Sequence, residues 1–301
     1  MTYFRNVHCE SEPIHLPPPI PRKPLSLAKK PQDVSTSFQC NLPVSGGAIF
    51  KNGNIALTSF DNGKVVIINS TGDNLKEFNI PKPWDAAVRN DRNKELLFIS
   101  FLKTAEKPAR IDFIEWTVDH FPKTFTRDVI TPYGLAFTLQ NELCVCEKKS
   151  HEVRIFDVHG KMIRRICQPQ FECPWYIAVT NDGKTLISDF EARCVWCLNE
   201  KGYIIDKLDK ASESDPTEFH PAKCVSDGKD FFISDQDGGK VRVLSKTGQV
   251  RTVIARKNTK EEIFCPVVLL VQKQCLIVVS KHGEVIKMPV PSEDEKFRWL
   301  K

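Results

Sequence analysis

Residues 220–257 read HPAKCVSDGKDFFISDQDGGKVRVLSKTGQVRTVIARK, and the architecture follows from this stretch. Its apolar runs, Phe231-Phe232-Ile233 and Val241, Val243, Leu244, are too short for helices. They are bounded by Gly and Asp, which reach turn conformations at little steric cost. In order the stretch gives a strand, an Asp-Gly turn, a strand, a Gly-rich turn, a strand, a Thr-Gly turn and a last strand. Tight turns between short strands build one antiparallel sheet.

The same unit returns every 40 to 50 residues or so, each copy opening on a proline followed by an apolar strand. Copies open at Pro83-Trp84, Pro132-Tyr133, Pro174-Trp175, His220-Pro221 and Cys265-Pro266, and a further copy preceded by Pro43 begins near Ser45-Gly46-Gly47. Six copies of a four-stranded sheet predict an all-β fold closed into a six-bladed propeller. The segment DVSTSFQCNLP, residues 33–43, alternates through Val34, Phe38 and Leu42. It is expected to add the outer strand of the sixth blade, which joins the chain ends and removes an exposed edge.

The recurring grammar is proline, a short apolar strand, a second strand ending in Asp, and a charged turn into a run such as Val-Arg-Val. On the strings PYGLAF, ISDFEARCVW and ISDQDGGKVRV the chain resembles the NHL repeat family, over residues of about 45 to 290. Copies one, two, three and six depart from it, with Phe60, Phe101, Glu147 and Lys281 read at the place of Asp189 and Asp235. The resemblance implies a propeller of the NHL or TolB-like type, akin to the C-terminal domain of tripartite-motif (TRIM-NHL) ubiquitin ligases. It also implies a substrate-recognition role, without a RING in this chain. Some NHL propellers bind single-stranded RNA, and that is the alternative the resemblance carries.

The boundaries expected are a proline-rich disordered leader over 1–32, a propeller over 33–292 and a charged tail over 293–301. The leader holds Pro13, Pro17, Pro18, Pro19, Pro21, Pro24 and Pro31, a composition that favours extended conformations. Within it Pro18, Pro21 and Lys23 fit an SH3-type ligand, although a spacer would read the same. No signal peptide and no run long enough to span a bilayer is visible. With 11 cysteines, an odd number, and a formal charge of only +5, the expectation is a reduced, cytoplasmic, monomeric protein.

Neither cysteines nor histidines assemble a site. Cys194 and Cys197 are spaced like half a zinc site, but in a strand residues three apart point to opposite faces. Cys144 and Cys146 share a face and lack a matching second pair, so structural burial is the expectation. His151 and His282 fall in turns and His220 in a linker. The inner strands Ala86-Ala87-Val88, Leu135-Ala136-Phe137, Ile177-Ala178-Val179 and Val267-Val268-Leu269 offer no oxygen set for calcium. Nucleophile and phosphate-loop motifs are absent, and Asp189 and Asp235 read as acceptors for turn N–H groups. No cofactor, metal or catalytic residue is expected, with a divergent propeller hydrolase as the remaining enzyme reading.

Blade linkers and the turns joining second to third strands share one end of a propeller. Trp84, Tyr133, Trp175 and Tyr176 follow the opening prolines there, with Lys148, Lys149, Arg193 and His220 on the rim. They are the expected binding residues, either as half-exposed anchors for a protein partner or as packing between blades. On the same turns Lys82, Lys103, Lys107 and Lys281 stand against more numerous acids, among them Asp61, Asp85, Glu147, Glu152, Asp189 and Asp235. That balance favours a protein over RNA.

Overall fold

A computed structural model describes residues 36–91, 94–118, 122–209, 219–244, 250–255, 265–290 and 298–299. Every regular element among them is a strand, 25 in all. The closing strand is β1 (Thr36–Gln39). Blade one is β2 to β5 (Gly46–Ile49, Ile55–Ser59, Lys64–Ile68, Asn74–Asn79) and blade two is β6 to β9 (Pro83–Asp91, Lys94–Phe101, Arg110–Ile114, Lys123–Thr126). Blade three is β10 to β13 (Pro132–Phe137, Leu143–Glu147, Glu152–Phe156, Met162–Cys167), and blade four is β14 to β17 (Pro174–Val179, Thr185–Asp189, Cys194–Leu198, Ile204–Leu208). Blade five is β18 to β21 (Pro221–Ser226, Phe231–Asp235, Lys240–Leu244, Val250–Ala255), extended by the two-residue β25 (Arg298–Trp299), which pairs in parallel with β21. Blade six is β22 to β24 (Pro266–Gln272, Cys275–Ser280, Glu284–Pro289).

The fourth strand of blade six is β1, which runs antiparallel to β24 with Thr36 opposite Lys287 and Gln39 opposite Glu284. The alternating segment read from the sequence thus closes the ring. The leader, its Pro18, Pro21 and Lys23, and most of the tail lie outside the described residues. No helix among the described residues is long and apolar enough to cross a membrane.

Six apolar cores lie between successive blades, one per interface. Each blade is therefore covered on both faces. That is why second and third strands such as Ile55–Ser59 and Cys194–Leu198 are buried at every residue, whereas outer strands such as Asn74–Asn79 alternate with solvent. Phe98, fully buried, is the hub of the core between blades two and three, with Phe113, Phe125 and Phe137 at 5.5, 5.0 and 5.0 Å.

The opening prolines have a geometric consequence. In blades two to six the register of the first strand against the second slips just after the proline, at Pro83, Pro132, Pro174, Pro221 and Pro266. Proline brings no N–H to the ladder, and a bulge re-aims the side chains within it. The residues so re-aimed include Trp84, Tyr133 and Trp175. Pairing also corrects the alignment of the copies: Ser59 and Ser280, not Phe60 and Lys281, hold the place of Asp189, since Ser280 pairs with Pro266 as Asp189 pairs with Pro174.

Candidate functional site at the channel mouth

Two positions after the opening proline, the first strands carry Asp85, Gly134, Tyr176, Lys223 and Val268, with Gly46 in the matching place of blade one. Blades two and five face each other across a six-fold ring, and there Lys223 Nζ meets Asp85 Oδ2 at 2.5 Å. Blades four and one also face each other, and the Tyr176 hydroxyl donates to the Ser45 carbonyl. Asp85 further accepts N–H groups from Gly47 at 3.2 Å and Leu135 at 3.0 Å, so one carboxylate ties blades one, three and five to blade two. Asp85 is fully buried and Lys223 6% exposed, so their charges are compensated by contact rather than by water.

Two glycines make room for these struts. A Cβ at Gly46 would stand 2.5 Å from Asp85 Oδ1, and one at Gly134 2.5 Å from Tyr176 Cα. Burial, then the Asp85 carboxylate, hold the Tyr176 phenol well above its ordinary pKa, so it stays a donor. The channel is thus spanned by polar bonds near the linker end.

Sequence reasoning counted Asp85 as a surface acid and passed over Lys223. The available signal was opposite charge at one repeat position in copies three apart.

Other acids counted against RNA are also withdrawn from the surface. Asp189 accepts the Glu172 and Cys173 N–H groups at 2.9 and 2.7 Å. Asp235 accepts the His220 and Gly238 N–H groups, each at 3.2 Å, and pairs with Arg242 at 2.6 Å. Glu147 does the same work in blade three, taking the Thr131 N–H at 2.7 Å, and burial raises its pKa. Glu152 is 4% exposed and lies 2.8 Å from Arg154. The acidic balance inferred from the sequence therefore overstated the negative charge at this end. These four side chains and Asp85 face inward because each carboxylate is needed by a buried donor.

Above the struts sits an aromatic cluster. Trp84 lies 4.6 Å from Tyr133 and 6.0 Å from Trp175, and Tyr133 lies 6.3 Å from Trp175. Phe60 extends the cluster from Trp84 at 5.5 Å, and Phe190 from Trp175 at 4.0 Å, reaching His220 at 5.6 Å. Trp84, Tyr133 and Trp175 are half-buried, whereas Tyr176 is buried at 2% exposure and belongs to the struts below. The hydroxyls of Thr58 and Ser100 bond the carbonyls of Trp84 and Tyr133 at 2.7 and 2.8 Å, so the second strands of blades one and two each fix the next blade's aromatic residue.

Lys148 Nζ stands 5.6 Å from the centre of the Tyr133 ring, and Lys149, exposed, donates its backbone N–H to Thr131. Arg193 is exposed at φ 51°, the left-handed turn position that Gly63 and Gly239 occupy in blades one and five. His220 Nδ1 lies 3.2 Å from Asp237. The structure thus gathers the rings of Trp84, Tyr133 and Trp175, with Lys148 over Tyr133 and His220 at the far end beside Phe190. Phe60 and Phe190 were missed as members. Their shared position directly after the second strand was the signal.

Cys194 and Cys197 fall in different inter-blade cores, and burial pushes their thiols up to about 12 and about 11. Cys144 shares a core with Cys146 and is likewise pushed up to about 12. Among the described residues no three His, Cys, Asp or Glu side chains cluster as metal ligands.

No protein-family model and no curated protein matches the sequence. Solved structures do match the fold. The chain is similar to virginiamycin B lyase from Staphylococcus aureus at 12% identity and TM-score 0.61, over 85% of this chain and 99% of that one. It is similar to a streptogramin B lyase at 14% and 0.60, over 84% and 97%. A PQQ-bound aldose sugar dehydrogenase from Streptomyces coelicolor matches at 11% and 0.61, over 84% and 98%. At such identities the likeness defines the class, a six-bladed β-propeller, and nothing narrower.

Proposed function

We propose that this chain is a non-catalytic recognition propeller that binds a protein partner at the linker end of its channel. The observation that carries the reading is the aromatic cluster of Trp84, Tyr133 and Trp175, half-buried and lifted onto that end by the post-proline bulges. Half-exposed Trp and Tyr offer large contact area at small entropic cost. Beneath it the ionisable groups Asp85, Lys223 and Tyr176 are committed to one another and to backbone groups of other blades. That supports a scaffold role for them over acid–base work. The NHL-like strings support a substrate-recognition or adaptor role of the kind tripartite-motif propellers have.

Affinity capture with the whole chain tests this. Proteins recovered after nuclease treatment, and lost when Trp84 and Trp175 are both changed to Ala, support the reading. Loss of all partners on nuclease treatment would turn it toward RNA.

A further inference from the structure

Of the rings at the channel mouth, Phe60, Trp84, Trp175 and Phe190 belong to none of the six inter-blade cores, and Tyr133 only borders one. They pack on each other instead and form a separate aromatic platform. Positive charge gathers on one side of it. Lys82, in the linker to blade two, places its ammonium 5.8 Å from the Phe60 ring centre, and Lys148 and Lys149 project from the turn of blade three. In that sector Asp85 and Glu147 are fully buried, leaving as exposed acids Glu106, between Lys103 and Lys107 on the turn of blade two, and Asp128 in the linker to blade three, which stands 3.5 Å from Arg154. On the other sides exposed acids return, with Asp61 in blade one, Glu191 in blade four and Asp237 in blade five.

This distribution selects among ligands. A nucleic-acid strand carries a phosphate at every residue and needs positive charge along its whole path. Here such a path would leave the basic sector and meet Asp61 at one side and Glu191 at the other. A short peptide needs cations only opposite its own few carboxylates. Resting on the reading of this face as a binding surface, we infer that its partner presents a short acidic segment carrying an aromatic side chain. The aromatic group stacks on Trp84, Tyr133 and Trp175, and the carboxylates face Lys82, Lys148 and Lys149.

The test is fluorescence anisotropy with the full chain and a fluorescein-labelled peptide of glutamates flanking one phenylalanine. Saturable binding is expected, weakened about tenfold or more by Lys148→Glu with Lys149→Glu, by alanine in place of the peptide's phenylalanine, and by added salt. Both lysines are exposed, and a melt of the double variant checks that it folds. Failure to bind the peptide, or binding indifferent to both changes, would overturn the inference. So would tighter binding of an oligouridine of equal charge. If captured proteins are lost from the Trp84→Ala, Trp175→Ala variant while the peptide does not compete for them, the recognition reading stands and only the acidic-aromatic class falls.

Discussion

Asp85 and Lys223 come from opposite blades, 138 residues apart, and meet at 2.5 Å across the channel. Each is the same repeat position of its own blade, so the bond brings together two copies of one sequence slot. A closed ring already fixes each blade through two neighbours, and this pair adds a contact that skips the neighbours. Because both partners are buried, the pair contributes little when intact and a great deal when broken.

Lys223→Met should accordingly destabilise the propeller by roughly 3 to 5 kcal/mol, through the uncompensated Asp85 carboxylate rather than through lost packing. The double change with Asp85→Asn should recover part of the loss. Urea unfolding of the three variants checks this. If the double variant is as unstable as the sum of the singles, the two groups are not coupled.

Thiol reactivity should follow burial. Cys144, Cys194 and Cys224 are buried and have their pKa pushed up to about 12 by that burial, whereas Cys167 is exposed to reagent, although partial burial and its bond to Glu152 at 3.3 Å raise its pKa as well. Since the thiolate is the reactive form, iodoacetamide at pH 8 should label Cys167 well before these three. Mass spectrometry of the folded and urea-unfolded protein reads the order, and early labelling of Cys194 would contradict the inter-blade packing.

Glu147 gives a pH signature. Its folded pKa is raised above the ordinary value of 4.5, burial being the main cause. A carboxyl with a raised folded pKa contributes stability at pH values below its unfolded value, and that contribution is lost as pH rises through the folded one. Relative to Glu147→Gln, the natural protein should therefore lose stability as pH climbs from about 4 toward neutral. Thermal melts of both across that range decide it. Parallel curves would show that the bonds from Ile130 and Thr131 cancel the desolvation.

The blades were legible in the sequence because their signals are local: a proline, an apolar strand and a Gly or Asp turn at a regular period. The closing strand was legible for the same reason, through the alternation of Val34, Phe38 and Leu42. The struts were not, because their one signal, opposite charge at the same repeat position in copies three apart, is not local, and Asp85 and Lys223 meet only once six blades are arranged in a ring. Tyr176 was misplaced among the binding residues for a related cause. Its neighbour Trp175 sits in the bulge and turns to the mouth, whereas Tyr176 resumes the ladder opposite Ser188 and reaches across the channel. One residue of register separates the two fates.

That separation sets the last expectation, which concerns Trp175 and Phe98. Phe98 is fully buried at the centre of an inter-blade core, so Phe98→Ala should cost about 3 to 5 kcal/mol of stability. Trp175 is half-buried and outside every such core, so Trp175→Ala should cost clearly less stability while weakening partner binding by roughly 2 kcal/mol, as loss of an interface anchor does. Comparing the two melts beside a binding titration separates the roles. If Trp175→Ala melts as early as Phe98→Ala and binds normally once folded, the platform is packing, and the partner must be sought on another face.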